Sequence, residues 1–124
     1  MIIYLNDDSD VPVFRQIRDQ IVIGISEGRL LPGEKLPTVR ALAEEIGINS
    51  MTVNKAYQLL KQEGYILTDK RNGARVRATF ENKGCLSGEA REQLRRIICE
   101  AKINGMSEQD FMEECGRYWS GKPE

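Results

Sequence analysis

The sequence predicts a mostly α-helical chain with one small β-hairpin: three helices and the hairpin packed as a winged helix-turn-helix, followed by a short two-helix segment. Three observations carry this. Apolar residues recur at helical spacing in five stretches, glycine and proline fall at the joints between them, and the one alternating stretch surrounds an Asn-Gly pair. At 124 residues, with 40% hydrophobic and 30% charged side chains, the chain has room for one ordinary globular domain and a small helical appendage.

Residues 1–10 are polar after a short apolar start and read as an N-terminal arm. Pro12 suits a first helical turn, where its missing N–H costs nothing. Val13, Ile17, Ile21 and Ile25 then recur every fourth residue, so a helix is expected over about 12–28, closed by Gly28. The segment from Leu30 to Pro37, with its Pro32-Gly33 pair, reads as a turn. Thr38 is a good N-cap, and Val39, Leu42, Ala43 and Ile46 form the apolar stripe of a second helix ending at Gly47.

After the tight connection Ile48-Asn49-Ser50, a third helix begins near Met51 or Thr52. Its apolar side is Val53, Ala56, Tyr57, Leu59 and Leu60, and it stops at Gly64. Two helices joined by a few residues through a glycine are a helix-turn-helix, here about residues 38–62. Tyr65 to Thr68, the polar tip Asp69 to Gly73, and Ala74 to Ala78 then form a hairpin of about 65–78, a wing, with Asn72-Gly73 as its turn signal. The first domain is accordingly 10–78.

Residues 79–86 lack a clear period and read as a linker. Residues 87–120 hold two further helices. The first carries Leu94, Ile97, Ile98 and Ala101 at helical spacing and stops at Gly105. The second opens on the capping box Ser107 to Asp110 and presents Phe111, Met112, Cys115, Tyr118 and Trp119.

Charge narrows the function. The chain carries −1 overall, but residues 33–78 hold eight basic and five acidic side chains, while the segments on either side are net acidic. A phosphate-facing surface needs a local positive excess, so double-stranded DNA is the expected partner. A helix that reads base edges must enter the major groove with short polar residues. Asn49, Ser50, Thr52, Asn54 and Lys55 fit that need, and Met51 suits a thymine methyl. Thr38 and Arg40 at the start of the second helix join this set. So do Lys70, Arg71, Asn72 and the backbone of Gly73 at the wing tip.

Other classes lose ground. There is no histidine, so Ser87 or Cys99 would have to act without the usual general base, and no Gly-rich phosphate loop or carboxylate pair stands out. Neither an enzyme nor a cofactor is expected. Cys85, Cys99 and Cys115 lack zinc-ligand spacing and read as three reduced thiols, at least two packed on helix faces. The N-terminus has no signal-peptide pattern and the longest apolar run is too short for a bilayer, so a cytoplasmic location without a membrane partner is expected. A winged helix can also serve as a protein-interaction module; such a wing would be apolar or acidic, whereas this one is basic.

The runs Pro32-Gly33-Glu34-Lys35-Leu36-Pro37-Thr38-Val39-Arg40-Ala41-Leu42-Ala43, Gly47-Ile48-Asn49, Thr52-Val53-Asn54-Lys55-Ala56-Tyr57 and Glu63-Gly64-Tyr65-Ile66 resemble the signature of GntR-type winged helix regulators. The short C-terminal extension resembles the YtrA-like subgroup. The resemblance implies transcriptional regulation, with Arg40, Ser50, Thr52, Asn54 and Gly73 at positions that touch DNA in relatives. Ser50-Met51 stands where relatives often have Pro-Asn or Arg-Thr, so no base preference follows. Ala74-Arg75-Val76 replaces the more usual Thr-Phe-Val and adds a charge to the wing.

A single helix-turn-helix makes too few base contacts for an operator, and dimers read two half-sites. The apolar residues of 87–120 named above are therefore the expected homodimer interface, the alternative being that these helices fold back on the first helix of their own chain. Many GntR relatives bind an effector in a large C-terminal domain; this tail is too short to enclose such a pocket, and no effector is evident. The expected function is a dimeric repressor occupying a near-palindromic operator.

Overall fold

The computed structural model describes residues 1–71, 73–80 and 84–121. The elements run α1 (Val13–Ser26), α2 (Val39–Ile46), α3 (Ser50–Gln62), β1 (Ile66–Asp69), β2 (Gly73–Val76), α4 (Gly88–Ile103) and α5 (Glu108–Trp119). Contacts divide the chain into two units, Met1–Glu81 and Asn82–Glu124. No helix among the described residues is long and apolar enough to cross a membrane.

In the first unit α3 packs against both α1 and α2. The apolar stripes foreseen in sequence supply the core: Ile17 and Ile21 from α1, Leu42 and Ala43 from α2, and Val53, Ala56, Tyr57 and Leu60 from α3. Ile66, Ala74 and Val76 close it from the hairpin. Burial of each large side chain contributes roughly 1.5–3 kcal/mol, so this cluster is the main term fixing the helices and the wing relative to one another. Leu59, expected on the same side of α3, is only half-buried.

The joints follow local chemistry. The Thr38 hydroxyl accepts from the Ala41 amide at 3.0 Å and starts α2. Gly47 ends it at φ 70°, a left-handed conformation that a side chain would strain. The Asn49 carboxamide oxygen accepts from the Met51 amide at 2.7 Å, so α3 begins at Ser50.

Three features differ from the sequence expectation. The segment read as a turn also bonds to β2, through a single bridge of Lys35 to Arg75: the Gly33 amide donates to the Val76 carbonyl at 3.0 Å, Val76 to Glu34 at 2.9 Å and Leu36 to Ala74 at 2.8 Å. Prolines bracket this short run and hide it, while Leu36 is buried beneath it. The polar tip is shorter than the Asp69 to Gly73 expected, because Asp69 pairs with Gly73 and both belong to the strands. The N-terminal arm is not merely polar: Met1, Ile3 and Leu5 pack against the core on alternate positions. The Gln20 carboxamide receives the Tyr4 amide at 2.8 Å and donates to the Tyr4 carbonyl, and Gln16 does the same for Asn6 at 2.8 and 3.0 Å.

In the second unit, Ser87 and Ser107 cap α4 and α5 by accepting from Ala90 and Asp110, each at 3.1 Å. Neither helix has a buried residue. The expectation that at least two cysteines pack on helix faces fails within this chain, since Cys85, Cys99 and Cys115 are all exposed. Two short helices lack the further layer needed to cover a stripe.

Candidate nucleic-acid interface

The polar start of α3 is presented outward on a fixed support. Ser50, Met51, Asn54, Lys55 and Gln58 from α3, with Val39 from α2, line one open recess of about 570 Å³. Met51 is 77% exposed although it is apolar. Of the residues expected to face DNA, the recess thus gathers Ser50, Met51, Asn54 and Lys55. Thr52 is half-buried outside it. Asn49 and Thr38 use their side-chain oxygens as helix caps.

Arg40 lies beside this ground with its side chain 90% exposed, its Nε 3.8 Å from Glu44. Such an exposed pair is weak, so the guanidinium is available to a phosphate or a guanine. Lys55 is drawn differently: its ammonium sits 4.2 Å from the centroid of the Phe14 ring, a cation–π contact that holds it toward α1.

Two contacts set the orientation of α3. The Tyr57 hydroxyl donates to the Pro37 carbonyl at 2.8 Å, tying α3 to the residue just before the Thr38 cap. Tyr57 is buried, and burial, with a smaller contribution from Glu45, pushes its phenol well above the ordinary value. At the other end of α3, Arg18 makes a two-pronged pair with Glu63 at 2.7 and 2.8 Å and also meets Asp19 at 2.7 Å. The Glu63 hydrogen bond is the largest reason the Arg18 guanidinium is held even more firmly charged than usual, against the opposing effect of burial. Arg18 also lies 5.9 Å from the Tyr65 ring centroid, and Tyr65 meets Phe80 at 6.4 Å. One ion pair thus links α1, the end of α3 and the root of the wing.

At the wing tip Lys70 and Arg71 are exposed, and Asn72 lies outside the described residues. Gly73 has φ +69° with open space where a Cβ would point, so close approach of a phosphate or sugar is sterically open. The charge added by Arg75 is turned toward the chain, its guanidinium donating to the Gly33 carbonyl at 3.4 Å.

Sequence reasoning missed Val39 and Gln58. Gln58 is four residues beyond Asn54 and seven beyond Met51, so helical spacing alone placed it on that face. Val39 is apolar and its spacing marks it only as core; it does pack there, half-buried, and it also lines the recess.

In the second unit, Leu94, Ile97, Met112, Tyr118 and Trp119 are 40–94% exposed. Ile98, Ala101 and Phe111 are half-buried and Cys115 is exposed. Among the described residues no group of three His, Cys, Asp or Glu is placed to hold a metal ion.

Residues 14–76 match the family described as bacterial regulatory proteins, gntR family. The chain is similar to the HTH-type transcriptional repressor YtrA of Bacillus subtilis, 34% identical over 107 residues spanning 84% of this chain and 82% of that protein. Among solved structures it is similar to YtrA from Sulfolobus acidocaldarius, a GntR-family transcription factor, with a TM-score of 0.68 and 39% identity over 83% of this chain and 99% of that one. A transcriptional antiterminator from Listeria monocytogenes matches with a TM-score of 0.87 and 26% identity, over 100% of this chain and 94% of that one. The DNA-binding domain of AraR in complex with operator ORR3 matches with a TM-score of 0.52 and 26% identity, over 61% of this chain and 92% of that one. The chain belongs to the GntR family of bacterial regulatory proteins, in its YtrA-like subgroup, and is a DNA-binding transcription regulator.

Proposed function

We propose that the chain is a repressor that acts as a homodimer on a near-palindromic operator. In each protomer residues 10–78 bind DNA: α3 enters the major groove by its N-terminal end, while Lys70, Arg71 and Gly73 meet the neighbouring backbone or minor groove. The observation that carries this reading is the recess where α2 and α3 begin, whose polar side chains stand outward on a helix fastened through Tyr57 and Glu63. The AraR relative in complex with its operator supports duplex DNA as the target, and the B. subtilis repressor supports the direction of control. Occupancy of a promoter blocks transcription without a catalytic step or a cofactor, and its place of action is the cytoplasm.

Residues 87–120, joined through 79–86, serve as the dimerisation segment. Leu94, Ile97, Met112, Tyr118 and Trp119 leave a run of apolar side chains exposed, and apolar surface of this kind favours association. Trp119, 94% exposed at the end of α5, contributes the largest side chain. Selection from a random duplex pool tests the DNA reading; enrichment of a two-fold repeated site is expected, and recovery of no preferred sequence overturns it. Sedimentation of Trp119→Ala tests the dimer: a shift toward monomer is expected, and an unchanged dimer removes α5 from the interface.

A further inference from the structure

We infer that the recess at the start of α3 reads an A·T pair, with the thymine methyl seated against Met51 and Val39 and the adenine edge facing the Asn54 or Gln58 carboxamide. This rests on the reading of the chain as a duplex-DNA regulator and names the base chemistry that the same surface selects.

The argument is one of lining chemistry. In the major groove guanine is best met by arginine or lysine, adenine by a bidentate carboxamide, and the thymine methyl by an apolar side chain. The recess is lined by two carboxamides, one hydroxyl, a thioether, a valine and a lysine, and by no arginine. That lysine, Lys55, has its ammonium over the Phe14 ring 4.2 Å away. Cationic reading of guanine is therefore disfavoured within the recess, although Arg40 beside it keeps that capacity. Carboxamides and apolar groups remain in its lining, and both are the complements of an A·T pair. Met51 explains itself on the same terms. At 77% exposure Met51 is open to a ligand, and its flexible, polarisable chain, which lines the recess with Val39, is a good seat for a methyl group. Gln58, one turn beyond Asn54 on the same face, is the second carboxamide of this lining.

The size of the effect follows from burying one methyl. Removing it should weaken binding about fourfold per half-site. Uracil in place of thymine deletes only that methyl and keeps Watson–Crick pairing, so the substitution isolates the contact.

The test uses the full chain and the duplex enriched from a random pool. Each thymine of one half-site is replaced in turn by uracil, and affinity is measured for the wild type and for Met51→Ala. Met51 is outside the core, and circular dichroism verifies that the variant folds. The inference expects one thymine at which uracil costs the wild type about fourfold and costs Met51→Ala almost nothing. If no uracil weakens the wild type, or if the penalty is the same in Met51→Ala, the inference is overturned while the regulator reading stands. If the pool yields no preferred duplex at all, the regulator reading itself falls and takes this inference with it.

Discussion

Tyr57→Phe removes one oxygen from the protein and tests how α3 is held. The ring stays in the core, where Tyr57 is 2% exposed, so the change isolates the 2.8 Å hydrogen bond to the Pro37 carbonyl. A typical net hydrogen bond is worth about 0.5–1.5 kcal/mol, and a buried acceptor left bare costs about 1–3 kcal/mol. Pro37 is only half-buried, so water can partly replace the lost donor, and a loss near 1 kcal/mol is expected. For a cooperative unit the size of Met1–Glu81, this corresponds to a fall in Tm of about 4–8 °C. The pH dependence has a definite sign. Burial holds the Tyr57 phenol above its ordinary value of about 10. The folded chain keeps the proton that the unfolded chain releases, so the contribution is complete below about pH 10 and is lost as the pH rises further. Tyr57→Phe has no such group, and the stability gap between the two proteins should narrow above about pH 10. Urea titrations of both proteins at neutral and alkaline pH measure this. Equal midpoints at neutral pH, or a gap that is flat through the alkaline range, would refute the role given to the hydroxyl.

Further outcomes follow from the other named contacts. Arg40→Ala should weaken operator binding at least tenfold in a gel-shift titration while thermal unfolding stays unchanged, because its side chain is 90% exposed and its pair with Glu44 is weak. Lys70→Ala combined with Arg71→Ala should flatten the plot of log affinity against log salt by about 0.9 per lost phosphate contact; an unaltered slope would take the wing tip off the DNA. Arg18→Met strands the Glu63 carboxylate, which is 21% exposed. The cost should be about 2 kcal/mol in a urea melt, below the 3–5 kcal/mol of a fully buried pair.

Much of this architecture is legible in the residues because short-range rules determine it. Pro12, Gly47, Asn49, Gly64, Ser87 and Ser107 bound helices through caps and turns that depend on a few neighbours. The stripes Ile17-Ile21 and Val53-Ala56-Tyr57-Leu60 declare their core face by period alone. What escaped depends on distance along the chain. Arg18 and Glu63 are 45 positions apart, and Tyr57 and Pro37 are 20 apart, so no local pattern marks either pair. The bridge of Gly33–Leu36 to β2 forms only when β2 arrives beside it. Met1, Ile3 and Leu5 alternate over too few residues to stand out from a polar arm. Spacing marks Val39 wholly as core, because the two sides of a half-buried residue become distinct only once the neighbouring helix is in place. The apolar residues of α4 and α5 are legible from their spacing, and most of them stay exposed in the fold.

The most direct test of the central claim, that the fixed polar end of α3 distinguishes one duplex from another, is a competition titration. The full chain is bound to the labelled enriched duplex and displaced by a scrambled duplex at about 150 mM salt, where nonspecific phosphate contacts are weakened. A preference of about a thousandfold or more is predicted, collapsing in a variant carrying both Ser50→Ala and Asn54→Ala. A ratio near one for the wild type would contradict the account.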